Sequence, residues 1–132
     1  MMAPATDAVP TTFLDVTVSN IRNARGHVLV AVCTPAEFLR PECRHAGKAP
    51  ARCGMVTLRV MGIPPGTYAV QAFHDENDNL LTDRTIFGLP KEGIGFSNAA
   101  LFRFGPPRFR DAAVALGPGG GQVAIRLRYL LG

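Results

Sequence analysis

Six stretches of the chain alternate between apolar and polar residues, which is the two-residue period of a strand that buries one face. In the first stretch, Leu14, Val16 and Val18 share one face, and Asp15 and Thr17 share the other. The predicted strands are 13–19, 27–33, 55–61, 67–73, 111–116 and 122–130. Because short strands separated by turns leave almost no helix, we predict an all-β fold, a single antiparallel β-sandwich of about seven strands.

Two segments depart from this pattern. Thr34, Pro35 and Glu37 suit the cap, the first position and the third position of a helix, so we predict one short helix over 34–39. Repeated Gly and Pro without a period predict a long irregular loop over 89–110, and such loops are more often functional or self-packed than idle. We expect residues 1–11 to form a flexible N-terminal segment and residues 12–132 to form one domain.

Three cysteines, Cys33, Cys43 and Cys53, are present, and none forms a C-x-x-C pair. An odd number predicts one disulfide and one free thiol. A Cys33–Cys43 bond would pin the 42–53 segment over the outer face of the second strand, whereas Cys43–Cys53 is the alternative, and spacing does not decide between the two pairings. A disulfide implies an oxidising compartment, so we expect a periplasmic or secreted protein.

Composition and charge exclude several classes. Hydrophobic residues make up 47% of the 132 residues, which excludes a disordered chain. No stretch approaches the roughly 18 apolar residues of a membrane span, so we predict no transmembrane segment. The net charge is +4, but the arginines are scattered along the chain rather than grouped, so nucleic acid is not an expected partner.

The sequence also resembles known families. The strand–turn–strand of transthyretin-like and carboxypeptidase-regulatory-like sandwiches is similar to the run Leu58-x-Val60-x-x-Ile63-Pro64-Pro65-Gly66-Thr67-Tyr68-Ala69-Val70. Four further motifs follow in order: His74-Asp75-Glu76-Asn77-Asp78-Asn79, Phe87-Gly88-Leu89-Pro90-Lys91-Glu92-Gly93, Gly95-Phe96-Ser97-Asn98, and Phe104-Gly105-Pro106-Pro107-x-Phe109-x-Asp111-Ala112. Together these four motifs resemble the domain of unknown function 2141 (DUF2141), whose members are mostly exported bacterial proteins.

The resemblance implies a transthyretin-like or immunoglobulin-like sandwich and an export route, but no activity. Met1 to Pro10 is short and polar, so we expect the signal peptide to have been removed and a start Met supplied. One departure concerns the polar loop, where Asp78 and Leu80 stand at the positions that are usually glycine in the family.

The polar loop at 75–83 is a candidate calcium site. Calcium loops present oxygen ligands at alternate positions, followed by a backbone carbonyl. On that template Asp75, Asn77 and Asn79 would supply side-chain oxygens, Leu81 a carbonyl and Asp83 a second carboxylate. The alternative is a connection of Asx turns whose side chains bond their own backbone.

The remaining candidates surround the long loop. Its large apolar residues either pack it onto a sheet or form an exposed patch; they are Phe87, Ile94, Phe96, Phe102, Phe104 and Phe109. The candidate binding surface comprises His74, Lys91, Glu92, Phe96, Ser97, Asn98 and Arg103.

We therefore expect a non-enzymatic exported binding or structural module for an unknown protein or small-molecule ligand, with calcium in the polar loop as the one cofactor candidate. The catalytic alternative is a hydrolase that uses His74 with Asp75 or Glu92. His74 is in phase with the inward-facing Tyr68, Val70 and Ala72, which is typical of a hydrogen-bonded structural histidine.

Overall fold

Two sheets build the fold, as the sequence predicted. The structure is a computed structural model, and it describes residues 10–38, 43–76, 93–100 and 107–129. The described strands are β1 (Thr12–Ile21), β2 (His27–Cys33), β3 (His45–Pro50), β4 (Gly54–Ile63), β5 (Gly66–Asp75), β6 (Ile94–Phe96), β7 (Ala113–Leu116) and β8 (Gly121–Arg126). One sheet has the order β4-β1-β8, and the other has the order β3-β2-β5-β6, with β7 also paired to β5. This arrangement confirms the all-β sandwich.

The alternating pattern places the core between the two sheets. Leu14, Val16 and Val18 of β1 are at most 2% exposed, and they belong to the same cluster as the inward-facing residues of β2 and β5. The polar residues between them, Asp15 and Thr17, point to the other face, where Arg59 of β4 donates to Asp15 from both Nε and Nη2. One-face burial therefore fixes the strand register, because a shift by one residue would expose the whole apolar set.

The pairing of β1 with β8 is parallel, in contrast to the other strand pairs described. Val16 lies opposite Val123, and Val18 lies opposite Ile125. The last strand therefore runs along the outer side of the first, and its far edge faces β6. Just beyond β8, Arg128 exchanges backbone hydrogen bonds of 2.9 and 3.0 Å with Ile94, which joins the edges of the two sheets.

The predicted helix over 34–39 is wrong for the residues that the structure describes, which form a turn. The amides of Glu37 and Phe38 both donate to the Thr34 carbonyl at 3.0 Å, and the Glu37 carboxylate accepts from the Thr34 amide at 3.1 Å. The hydrogen bond expected between the cap residue and Glu37 thus forms, but the described residues after it make a turn and not a helix. A disulfide between Cys33 and Cys43 brings the chain back to the end of β2 within ten residues, which leaves little length for helical turns.

Of the two pairings that spacing left open, the structure contains Cys33–Cys43, and Cys53 is a free, exposed cysteine. Two strands were not predicted, β3 in the cysteine-containing segment and the three-residue β6. The long-loop segment also holds a 3-10 turn at Ser97–Ala99 and the short helix α1 at Phe109–Ala112. Because α1 takes up Asp111 and Ala112, the following strand begins at Ala113 rather than at 111.

Candidate functional site

His74 is the predicted catalytic residue that the structure describes most completely. Its side chain is fully buried at the end of β5, and both ring nitrogens have partners. Nε2 lies 2.6 Å from the Arg25 carbonyl, which only accepts, so Nε2 carries the proton. Nδ1 lies 3.0 Å from the Tyr129 hydroxyl and 3.9 Å from Oε2 of Glu76. The imidazole is therefore committed to the fold at both nitrogens.

The Tyr129 hydroxyl links His74 to the charged residues at this end of the sandwich. It accepts from the backbone amide of Arg22 at 3.0 Å, while the guanidinium of Arg22 lies 4.4 Å from the centre of the Tyr129 ring. Burial raises the pKa of Tyr129, so the phenol beside His74 stays protonated. We call Arg22, Asn23, His74, Glu76 and Tyr129 the polar cluster.

Glu76 is the acidic member of the polar cluster, and it is held ionised. Its carboxylate accepts from Nε and Nη2 of Arg22 at 2.8 Å each and from the Asn23 amide at 2.7 Å. The Arg22 hydrogen bonds lower the pKa of Glu76 to about 2, against the opposing effect of burial. An ionised carboxylate bonded in this way cannot act as a general acid near neutral pH.

The other predicted catalytic residues do not form a reactive group with His74 in the described part of the chain. Asp75 is fully buried as the last residue of β5, and Glu92 lies outside the described residues. Ser97 is also fully buried, where its hydroxyl accepts from the Val70 amide at 3.1 Å and donates to the Ala112 carbonyl. Its hydrogen-bond partners are backbone atoms, as expected for a structural serine.

The predicted binding surface is divided by the structure. Phe96 is 3% exposed and packs with Phe38 and Phe109 in a small second core, so it belongs to the interior. For Ile94, Phe96 and Phe109, this packing is the alternative in which the loop aromatics cover a sheet, whereas Phe87, Phe102 and Phe104 lie outside the described residues. Asn98 is exposed and donates to the Ala113 carbonyl at 2.8 Å. Three further members of the predicted surface lie outside the described residues: Lys91, Glu92 and Arg103.

Most of the predicted calcium ligands also lie outside the described residues: Asn77, Asn79, Leu81 and Asp83. Asp75 is described, and its side chain is buried and engaged within the protein. Among the residues that the structure describes, no group of three or more His, Cys, Asp or Glu side chains is arranged to hold a metal ion. Calcium binding by this loop stays a prediction.

The described residues form a cleft between β8 and the segment that contains β6 and the 3-10 turn. Its volume is about 230 Å³. Most of its lining is apolar or small, and Arg126 and Arg128 are its charged members; the lining residues are Ser19, Ile94, Gly95, Phe96, Ala99, Ala100, Ala124, Ile125, Arg126 and Arg128. We call this site the β6–β8 cleft.

The close approach of β6 to β8 shapes the cleft and requires a glycine. A Cβ atom at Gly95 would lie 2.5 Å from Cγ2 of Ile125 and 2.7 Å from the carbonyl oxygen of Arg126. Both distances are well inside van der Waals contact, so a larger residue at this position would push the two strands apart. The cleft is therefore preformed by backbone packing.

The rim of the cleft contains strained backbone. Asn98 and Ala99 have φ values of 61° and 54°, in the left-handed region that residues with a Cβ seldom adopt. Asparagine tolerates this conformation, but alanine does so at a cost of about 1–2 kcal/mol. The bond from Asn98 to Ala113 and the buried hydroxyl of Ser97 hold the segment in place. Backbone strain of this kind clusters at ligand-binding sites.

With this geometry in place, the chain can be compared with known proteins. The family model described as "Uncharacterized protein conserved in bacteria (DUF2141)" matches residues 16–124, which is most of the chain. The chain belongs to the DUF2141 family. The DUF2141 resemblance of the four motifs is thereby confirmed, and the family description assigns no activity. Comparison with curated proteins and with solved structures found no match.

Two of the DUF2141 motifs contribute residues to the polar cluster and to the β6–β8 cleft. The motif that begins at His74 supplies two members of the polar cluster, and the motif from Gly95 to Asn98 forms part of the cleft wall. Sequence reasoning missed the cleft, whose charged members Arg126 and Arg128 are both exposed. Among the described residues of this DUF2141 protein, no helix has the length and apolar character needed to cross a membrane.

Proposed function

We propose that this DUF2141 protein is a non-enzymatic binding module and that a small molecule occupies the β6–β8 cleft. The observation that carries the proposal is the preformed concavity itself, whose rim holds the strained pair Asn98 and Ala99. Ligand sites in proteins are largely preformed, mostly apolar clefts with a few polar groups. A volume of about 230 Å³ is below the usual range for drug-sized ligands, so the ligand is small.

The commitment of His74 supports binding over catalysis. A general base needs a nitrogen within reach of the substrate proton. Here Nε2 bonds the Arg25 carbonyl and Nδ1 bonds the Tyr129 hydroxyl, and the side chain has no exposed surface. The site of function is therefore expected at the cleft rather than at the polar cluster.

Export is the second part of the proposal, and the Cys33–Cys43 disulfide supports it. Disulfides persist in oxidising compartments such as the periplasm and the extracellular space. The test is to express the full-length gene with a C-terminal tag in its host and to fractionate the cells. Recovery of the protein in the cytoplasm with reduced cysteines would contradict this part.

The cleft is tested by ligand-observed NMR with a fragment library, followed by amide chemical-shift mapping on the protein. We expect binders whose shifts centre on Ala99 and Ala124, and we expect Ala124→Trp to abolish them because the indole would fill the cleft. Ala124 is exposed, so the variant should fold. Ala115→Trp is the matched control, since Ala115 is an exposed strand residue outside the cleft lining. Absence of binders, or equal binding to Ala124→Trp, would overturn the proposal.

A further inference from the structure

The charged residues that the structure describes around the β6–β8 cleft have one sign. Arg126 and Arg128 line it, and none of the described lining residues is acidic. A concave site lined by one sign of charge, with low-dielectric walls, concentrates ions of the opposite sign. The cleft is therefore electrostatically suited to an anion.

The two guanidinium groups are placed to act together. Arg126 and Arg128 are separated by the buried Leu127 and are both exposed, so their side chains leave the chain on the same side, with Cα atoms about 7 Å apart as in extended backbone. Each guanidinium presents five N–H donors in a planar fork that matches carboxylate and phosphate oxygens. Two such forks over one cleft can hold a single anionic group.

Neither guanidinium is used by the protein in the part of the chain that the structure describes. Three other arginines pair with carboxylates, Arg22 and Arg25 with Glu76 and Arg59 with Asp15. Arg126 and Arg128 have no hydrogen-bond or ion-pair partner for their side chains among the described residues. The backbone of Arg128 is bonded to Ile94, which fixes the base of that side chain while leaving its charge available.

Most of the other described lining residues are apolar. Ile94 and three alanines form the more exposed part of this apolar lining, whereas Phe96 and Ile125 are 3% and 1% exposed. Burying apolar ligand surface against such a wall is favourable by about 25 cal/mol per Å². A ligand that uses both parts of the cleft must carry a charge at one end and an apolar body at the other.

We propose that the ligand of the β6–β8 cleft is a small organic anion, with a carboxylate, phosphate or sulfonate group held by Arg126 and Arg128 and a short apolar body against Ile94, Ala99 and Ala124. This inference rests on the proposed function, because it names the ligand class of the same site. The cleft volume of about 230 Å³ limits the apolar body to about one aromatic ring or a short alkyl chain.

The test compares matched probes by NMR titration. Phenylacetate and phenyl phosphate carry the anionic group on the same ring, and phenylacetamide is the neutral counterpart. We expect one or both anions to bind at the cleft at least about tenfold more tightly than the amide, because charge-assisted hydrogen bonds are about twice as strong as neutral ones. The anion that binds more tightly shows whether the cleft prefers a carboxylate or a phosphate.

The double variant Arg126→Gln/Arg128→Gln should weaken anion binding by about tenfold or more while leaving the amide unaffected. Both side chains are exposed, and the bond between Arg128 and Ile94 uses backbone atoms, so the variant should fold as the wild type does. Arg52→Gln is the matched control, because it removes an exposed charge outside the cleft. Loss of anion binding in the double variant alone supports the inference.

Three results would overturn the inference. The first is equal affinity for the anions and the amide, which would leave the proposed cleft function standing. The second is an equal loss of anion binding in Arg52→Gln, which would assign the effect to net charge. The third is no anion binding at the cleft of the wild type, in which case the fragment screen decides the proposed function separately.

Discussion

Glu76 makes the stability of this fold sensitive to acid, and Glu76→Gln should remove that sensitivity. The pKa of Glu76 is lowered from 4.5 to about 2, chiefly by the hydrogen bonds from Arg22. A carboxylate with a depressed folded-state pKa adds stability that is complete above 4.5 and is lost as the pH falls towards 2. The full shift would correspond to about 3 kcal/mol. Because the Arg22 side chain is 30% exposed, solvent screening reduces the expected effect to about 1–2 kcal/mol.

The assay is urea denaturation of the wild type and Glu76→Gln at a series of pH values between neutral and about 2. We expect the wild type to be more stable by about 1–2 kcal/mol at neutral pH, with the difference disappearing between about 4.5 and 2. Parallel pH curves for the two proteins would refute the reasoning.

Asp15→Asn is the matched control for this experiment. Asp15 also accepts two bonds from an arginine, and the guanidinium of Arg59 lies 3.9 Å from the centre of the Phe13 ring, much as Arg22 lies over Tyr129. The hydrogen bond from Arg59 lowers the pKa of Asp15. This pair lies on the open face of the sheet, where the side chain of Arg59 is 51% exposed and that of Asp15 is 25% exposed. We expect its acid-dependent effect to be smaller than that of Glu76, because exposed ion pairs contribute little.

Three further perturbations test other parts of the structure. Tyr129→Phe removes the hydroxyl that is hydrogen-bonded to His74, so urea denaturation should show a free energy of unfolding lower by about 1–3 kcal/mol. An unchanged denaturation midpoint would contradict the hydrogen bond between Tyr129 and His74. Gly95→Ala should lower the free energy of unfolding by about 1–3 kcal/mol, because the added Cβ would force β6 away from β8. Gly117→Ala should lower it less, because nothing lies within 4 Å of the added carbon, and equal losses in the two variants would refute the close approach. Millimolar calcium should raise the thermal midpoint of the wild type but not of Asp75→Asn if the 75–83 loop binds the ion, and no rise would remove that loop as a metal site.

The strands with a clear apolar alternation were predictable from sequence, and those without it were not. The boundaries of β2 agree with the prediction at both ends. β3 has the sequence HAGKAP, which has no large apolar residue and contains both Gly and Pro. It forms because β2 offers a free edge, with which all six of its residues pair, and a proline is tolerated on such an edge strand. Its formation is therefore decided by the neighbouring strand, which a local pattern does not contain.

The sequence predicted the burial of single residues of the candidate site but not their contacts with one another. The phase of His74 with the inward-facing residues of β5 predicted a buried structural histidine, and its burial agrees. Its partners Tyr129 and Arg25 are 55 and 49 residues away in sequence, so their contacts depend on the sheet order. The β6–β8 cleft likewise combines segments from both sheets, and the parallel pairing of β1 and β8 that places it was not predicted.

The polar cluster and the β6–β8 cleft are joined through one short segment. The His74 amide donates to the Gly93 carbonyl at 2.9 Å, and a Cβ atom at Gly93 would lie 2.7 Å from the Tyr129 ring. The next residue, Ile94, is bonded to Arg128 through both backbone groups. The cluster thus holds the start of β6 at the position where β6 begins to line the cleft. His74, the first residue of a DUF2141 motif, therefore has a structural role. Its hydrogen bonds, with those of the rest of the polar cluster, fix the wall of the cleft against which a ligand would bind.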